Sequence, residues 1–158
     1  MKHKILTTAV LGGVALVASA FFAPVTAEAH PVKPEEIPSK IVANTIPQSL
    51  TGAAGNAEKG FATSIHRKKG NCLACHTLPA PKEQFHGNIG PDLAGVGSRM
   101  NAAELRLQIV DPKVNNPDTI MPGFYVKDLP GTAKKFAGKT MMSAEEIEDV
   151  IAYLLTLK

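Results

Sequence analysis

The sequence predicts an all-α domain, a few helices joined by long irregular loops and closed around something other than its own side chains. Three observations predict it. Three segments repeat apolar residues at helical spacing behind good capping residues, no sheet is required, and no internal repeat is apparent. The connections between those segments are rich in proline and glycine and long for a compact domain, which marks loops that are functional or wrapped around a bound group. With no Trp, two Tyr and six Phe in 158 residues, the chain has little aromatic bulk from which to build a core, and a buried cofactor would supply the missing apolar volume.

The first 29 residues are set apart from that domain. Lys2 and Lys4 precede an apolar run from Ile5 to Ala23, and the small-residue exit Ala27-Glu28-Ala29 follows. This reads as a signal peptide over 1–29, directing export to the periplasm, with the mature chain starting near His30. A retained membrane anchor is the alternative, since the run approaches the roughly 20 residues that span a bilayer. Thr7, Thr8, Gly12, Gly13, Ser19 and Pro24 interrupt it and favour cleavage, which would leave no membrane span. Removal of the signal leaves 15 Lys and Arg against 13 Asp and Glu, a net charge of +2. That balance lacks the one-sided basic surface that nucleic-acid binding needs.

Residues 30–50 hold four prolines, at 31, 34, 38 and 47, with no amphipathic period. They read as a proline-rich N-terminal arm, either laid along the domain or a partner or disordered, ahead of a domain over 51–158. A first helix is expected over Asn56–Lys68, capped by Asn56, with Phe61, Ile65 and Ala62 on its inner face and Gly70 ending it. His66, Arg67, Lys68 and Lys69 would then sit in its last turn, where the helix dipole favours cations. A loop runs on to about Ser98. Asn101–Val110 is the second helix, with Asn101 and Glu104 as a capping box and Asp111-Pro112 as its stop. Lys113–Thr140 carries little regular structure. Ser143–Lys158 is the third helix, capped by Ser143 and Glu146, with Met142 stapled onto Ile147 and a stripe of Ile147, Val150, Ile151, Leu154 and Leu155.

The chemistry is concentrated in Cys72-Leu73-Ala74-Cys75-His76. In C-x-x-C-H, two thiols add across the vinyl groups of a haem and the adjacent imidazole faces the iron. A thioredoxin-like disulfide would need a βαβ setting, and a zinc site would need a second pair of ligands that is missing. The expected cofactor is therefore one haem c, held through thioethers at Cys72 and Cys75 with His76 as iron ligand. The other nitrogen of that imidazole needs an acceptor, for which a backbone carbonyl of Gly90-Pro91 is suited. Arg99 is a candidate partner for a haem propionate, or simply a surface arginine.

A second axial ligand would close the site. Met121 is the best placed, in the irregular segment Thr119-Ile120-Met121-Pro122-Gly123, and a thioether there raises the reduction potential. His86 and Met141 remain alternatives, as does a purely structural Met121 filling a gap in the core. Met100 lies too near the second helix, Met142 has a capping role, and His66 and His86 read as solvent-facing.

These residues resemble a class I cytochrome c: C-x-x-C-H between helices, then Gly90-Pro91-Asp92-Leu93, then Met121-Pro122, then EEIEDVIAYLLTLK. The resemblance implies that fold, with the Pro91 segment holding the proximal histidine, Arg99 at a propionate, and the first and last helices crossing at Gly60, Phe61 and Tyr153. A narrower likeness is carried by GNCLACHTLP, QFHGNIGPDLAGVGSRM and AELRLQIVDPKVNNPDTIMPGFY, which resemble SoxX, the small cytochrome subunit of the SoxAX complex of sulfur oxidation. It implies a heterodimer with a SoxA-type cytochrome that joins thiosulfate oxidatively to a cysteine of the SoxYZ carrier protein, with this chain relaying electrons to a downstream cytochrome. Both cysteines are then consumed by haem, none remains as a sulfur nucleophile, and the chain is a non-catalytic electron-transfer subunit, inactive alone. The alternatives are a free soluble periplasmic class I cytochrome c, or a haem sensor with an open sixth position.

Overall fold

The computed structural model describes residues 30–132, 134 and 137–158; the expected signal peptide lies outside the described residues. Among the described residues there are five α-helices, α1 (Ile37–Lys40), α2 (Ala57–Ile65), α3 (Val96–Arg99), α4 (Ala102–Val110) and α5 (Ala144–Thr156). Single 3-10 turns lie at Pro34–Glu36, Cys72–Ala74 and Pro112–Val114. The only strand-like pairing described is an isolated bridge between Val42 and Thr45, so the fold is all-α.

The three longer helices start where their caps dictate. Asn56 Oδ1 accepts from the Lys59 amide at 3.0 Å, opening α2. Asn101 Oδ1 accepts from the Ala103 and Glu104 amides at 2.9 and 3.1 Å, while the Asn101 amide donates to the Glu104 carboxylate at 2.8 Å. Ser143 and Glu146 repeat that reciprocal pair at 3.2 and 3.0 Å, ahead of α5. The inner face of α5 is Ile147, Val150, Ile151 and Leu154, all buried, and Met142 is buried beside its start; Leu155 is only half-buried.

Three helices differ from expectation, the first being α1, which lies in the stretch 30–50 expected to be an arm without helix. α2 stops at Ile65, three residues early, because the His66 amide closes on the Thr63 carbonyl (3.2 Å) and His66 then turns to extended backbone. The basic run 66–69 therefore lies in a turn beyond the helix, and Lys69 pairs with Glu146 of α5 instead of the helix end. The buried residues of α2 are Gly60, Thr63 and Ser64; Phe61 and Ile65 are half-buried and Ala62 is exposed. α3 has no strong sequence signal, since Gly95, in left-handed conformation (φ 69°), stands just before it and Gly97 lies within it.

The frame is the crossing of α2 on α5. A Cβ at Gly60 would sit 1.8 Å from the Asp149 carbonyl oxygen and 2.9 Å from Tyr153 Cβ, so only glycine allows this approach. Beside it the Phe61 and Tyr153 rings meet edge to face, centroids 5.3 Å apart at 63°. The expected trio of Gly60, Phe61 and Tyr153 thus forms the crossing.

Residues 30–50 pack along the domain. Ile37, Ile46 and Leu50 are buried in the same hydrophobic core as α4 and α5. Arg106 of α4 is the latch. Its Nε and Nη2 donate to the Glu148 carboxylate at 2.7 and 2.9 Å, and its Nη1 donates to the Ile46 carbonyl at 2.7 Å. Glu148 also accepts from the Leu50 amide at 2.9 Å. Both side chains are about 5% exposed, so this is a desolvated pair whose hydrogen-bonding capacity is spent on the arm.

Candidate functional site

The proximal half of the site is a backbone construction. Asn71 takes a left-handed conformation (φ 47°, ψ 38°), and the chain coils into the 3-10 turn Cys72–Ala74, with the Cys75 and His76 amides both donating to the Cys72 carbonyl at 3.1 and 2.9 Å. That single carbonyl thus closes the turn that carries Cys72, Cys75 and His76. The segment that follows returns over the turn: the Gly87 amide donates to the Leu73 carbonyl and the Gly90 amide to the Cys75 carbonyl, both at 2.7 Å.

The return places Gly90 flat against the imidazole. A Cβ there would lie 2.4 Å from His76 Cε1 and 2.6 Å from Nδ1. One residue on, the Pro91 carbonyl meets His76 Nδ1 at 2.6 Å. A carbonyl can only accept, so Nδ1 carries a proton and donates, which leaves Nε2 as the ring nitrogen available to a metal. Sequence reasoning found this pair of partners.

Burial pushes the Cys72 thiol up, a hydrogen bond with Ser64 partly opposing it, so the thiol is held neutral. The Tyr153 hydroxyl lies buried nearby with no hydrogen-bond partner among the described residues, and burial raises it too. Two free thiols and one oriented imidazole in the C-x-x-C-H turn suit a covalent haem.

The distal candidates sort by what they touch. Met121 is half-buried; its amide donates to Thr119 Oγ1 at 3.2 Å, and its sulfur accepts from Gln108 Nε2 of α4 at 3.6 Å. His86 has both ring nitrogens engaged, Nδ1 accepting from the Leu78 amide and Nε2 on the Glu83 carbonyl, each at 3.1 Å. It is half-buried and tied to its own loop, unlike the solvent-facing residue expected. His66 is exposed, and its Nδ1 accepts from the Lys68 amide. Met142 is buried under α5 and Met141 is exposed. Arg99 is exposed and clamps its loop, donating to the Ala94 and Asp92 carbonyls at 2.7 and 2.9 Å.

Gln108 and the Arg106–Glu148 latch went unread in the sequence. The latch left one signal: Arg106 lies four residues before Val110 and three before Ile109 on a helix whose apolar face is buried, a position where a charge needs a partner.

Comparison with known proteins agrees with this geometry. The family model described as Cytochrome c matches residues 57–158. An uncharacterized lipoprotein of Aquifex aeolicus (strain VF5) is 36% identical over 87 residues, 55% of this chain and 36% of its own length. Cytochrome c-550 of Bacillus subtilis (strain 168) is 31% identical over 80 residues, 49% of this chain and 62% of its own length. The chain thus spans less than two thirds of either curated relative. In the crystal structure of SoxXA from P. pantotrophus, one chain superposes with a TM-score of 0.72 at 37% identity, over 82% of this chain and 99% of that one. The chain belongs to the cytochrome c family, with the class I fold, as a SoxX-type cytochrome that binds haem c covalently.

Proposed function

We propose that this chain is the electron-transfer subunit of a SoxAX complex, with its haem joined to Cys72 and Cys75, ligated by His76 and Met121, and contacted at a propionate by Arg99. The observation that carries the reading is the likeness to a SoxXA chain over 99% of that chain's length. The haem, when bound, supplies one-electron exchange.

The residues divide the remaining work. Cys72 and Cys75 fix the cofactor, so it cannot leave on a change of oxidation state. Pro91 and Gly90 hold His76 in one tautomer and one orientation. Arg99 spends two N–H groups on the Asp92 and Ala94 carbonyls and has others left for a carboxylate. Met121 supplies a neutral thioether, which favours the reduced state.

In the proposed complex a SoxA-type partner joins thiosulfate to a cysteine thiol of the SoxYZ carrier. Formation of that S–S bond releases one proton and two electrons, and this chain passes the electrons singly to a downstream cytochrome. Both cysteines being committed to haem, the chain has no thiol for the sulfur step. Export to the periplasm by residues 1–29 belongs to the same reading. It is supported by Lys2 and Lys4 ahead of the apolar run from Ile5 to Ala23 and by the small-residue exit Ala27-Glu28-Ala29. Among the described residues no helix is long and apolar enough to cross a membrane.

Purification from the native host tests the assignment: the chain should elute with a second cytochrome, and elution alone would favour a free carrier. The isolated chain should show no thiosulfate conjugation. Met121→Ala should abolish the thioether-to-iron absorption band of the oxidised protein, and survival of that band would refute Met121 as ligand.

A further inference from the structure

We infer that Gln108 is a positioning residue for the redox site, acting through Met121: its side-chain amide sets which sulfur lone pair faces the iron and raises the reduction potential. The inference rests on Met121 being the sixth ligand.

A thioether sulfur has two lone pairs and weak acceptor character. Gln108 Nε2 lies 3.6 Å from Met121 Sδ, an ordinary separation for an acceptor as large as sulfur. One lone pair is thereby engaged, and the other is left for a metal. The donor is rigidly carried. Gln108 stands in the last turn of α4, and the next two residues strap the Met121 segment to that helix: the Phe124 and Tyr125 amides donate to the Ile109 and Val110 carbonyls at 3.0 and 3.2 Å. From the other side Thr119 holds the Met121 amide. Sulfur and donor thus move together, and inversion at sulfur would break the hydrogen bond.

The electronic consequence has a definite sign. An N–H group on the sulfur withdraws electron density that the thioether would otherwise donate, and the ferric state depends on that donation more than the ferrous state. The hydrogen bond therefore favours reduction. Hydrogen bonds of the residues around a metal's ligands are a recognised lever on potential.

Gln108→Leu in the haem-loaded protein tests this, because two accounts predict opposite signs. Loss of the donor lowers the potential, raising the ferric-to-ferrous ratio at fixed applied potential by about two- to tenfold, the range of one net hydrogen bond. A merely structural Gln108 would give the reverse, since a more apolar surrounding disfavours the extra ferric charge. Gln108→Glu, the same shape with no donor at neutral pH, must shift the ratio the same way as Gln108→Leu if it too retains the thioether band. Proton NMR of the oxidised Gln108→Leu protein should show altered haem methyl shifts as the second sulfur configuration becomes populated. An unchanged or raised potential in Gln108→Leu, with the thioether band retained, overturns the inference. Persistence of that band in Met121→Ala would instead overturn the ligand assignment beneath it.

Discussion

The segments that carry the histidine and the methionine of the proposed haem site are built by different means. From Cys72 to Pro91 the imidazole of His76 is fixed by main chain: paired amides on the Cys72 carbonyl, a glycine flat against the ring, and a carbonyl on Nδ1. From Thr119 to Tyr125 the methionine is fixed by borrowed contacts, a threonine hydroxyl, the Gln108 amide and the strap onto α4. A local construction can be finished within twenty residues of chain. A borrowed one is only as firm as the helix that lends the contacts, and α4 is itself anchored through Arg106 to α5 and the arm.

The largest effect should come from breaking the local side. Gly90→Ala puts a methyl group 2.4 Å from His76 Cε1, so the ring must shift off the Pro91 carbonyl or the backbone must move. The expected loss exceeds about 3 kcal/mol, the upper range for overpacking, and the amount of haem-loaded protein recovered should collapse. Near-normal yield with a normal spectrum would show that the ring is not clamped.

Next is the anchor of the borrowed side. Arg106→Ala leaves the Glu148 carboxylate buried without its cation and releases the Ile46 carbonyl, at an expected cost of about 3–5 kcal/mol in urea unfolding. It should also loosen the arm, read as faster amide exchange at Ile46 and Leu50. A cost below about 1 kcal/mol would mean that α4 stands without the latch.

Thr119→Val should be milder, about 1 kcal/mol, because it removes a single hydrogen bond to the Met121 amide. Its more telling readout is exogenous imidazole, which should displace the methionine more readily than in the parent protein. Unchanged imidazole affinity would assign the firmness of this segment to the strap alone.

The smallest effect concerns the entry to the proximal segment, where Lys69 pairs with Glu146. Burial would raise the Glu146 carboxyl, but the Lys69 ammonium and the Ser143 amide hold it below its ordinary 4.5. A lowered folded-state pKa means that the unfolded chain binds more protons as pH falls. The pair's contribution is therefore complete at neutral pH and lost as pH drops below about 4.5. Lys69→Met should cost a few tenths of a kcal/mol at pH 7 and less at pH 3, as befits a partly exposed pair. Equal cost at both pH values would reject the electrostatic origin.

The same contrast governs what could be read in the sequence. Cys72, Cys75, His76, the Pro91 carbonyl and the caps at Asn56, Asn101 and Ser143 are local, each decided by residues within a few positions or by a motif with one chemical use. Gln108 and the Arg106–Glu148 pair are products of tertiary placement, separated by 13 and 42 residues from their partners, and no spacing rule announces them. The early end of α2 was hidden for the same reason. Propensity and the dipole favoured helix through the basic run, whereas packing turned the chain at His66 to deliver Asn71 and Cys72 to the site. Prolines 31, 34, 38 and 47 suggested an arm without regular structure; Pro34 instead opens a turn that carries Ile37 into the core.

The central claim is that this chain holds one haem through both of its thiols and so moves electrons while the sulfur chemistry lies elsewhere. Mass spectrometry of the exported protein, alkylated after denaturation and digested, tests it most directly. The peptide spanning Cys72–His76 should carry one haem and no alkyl group. A haem-free peptide alkylated at both Cys72 and Cys75 would contradict the account.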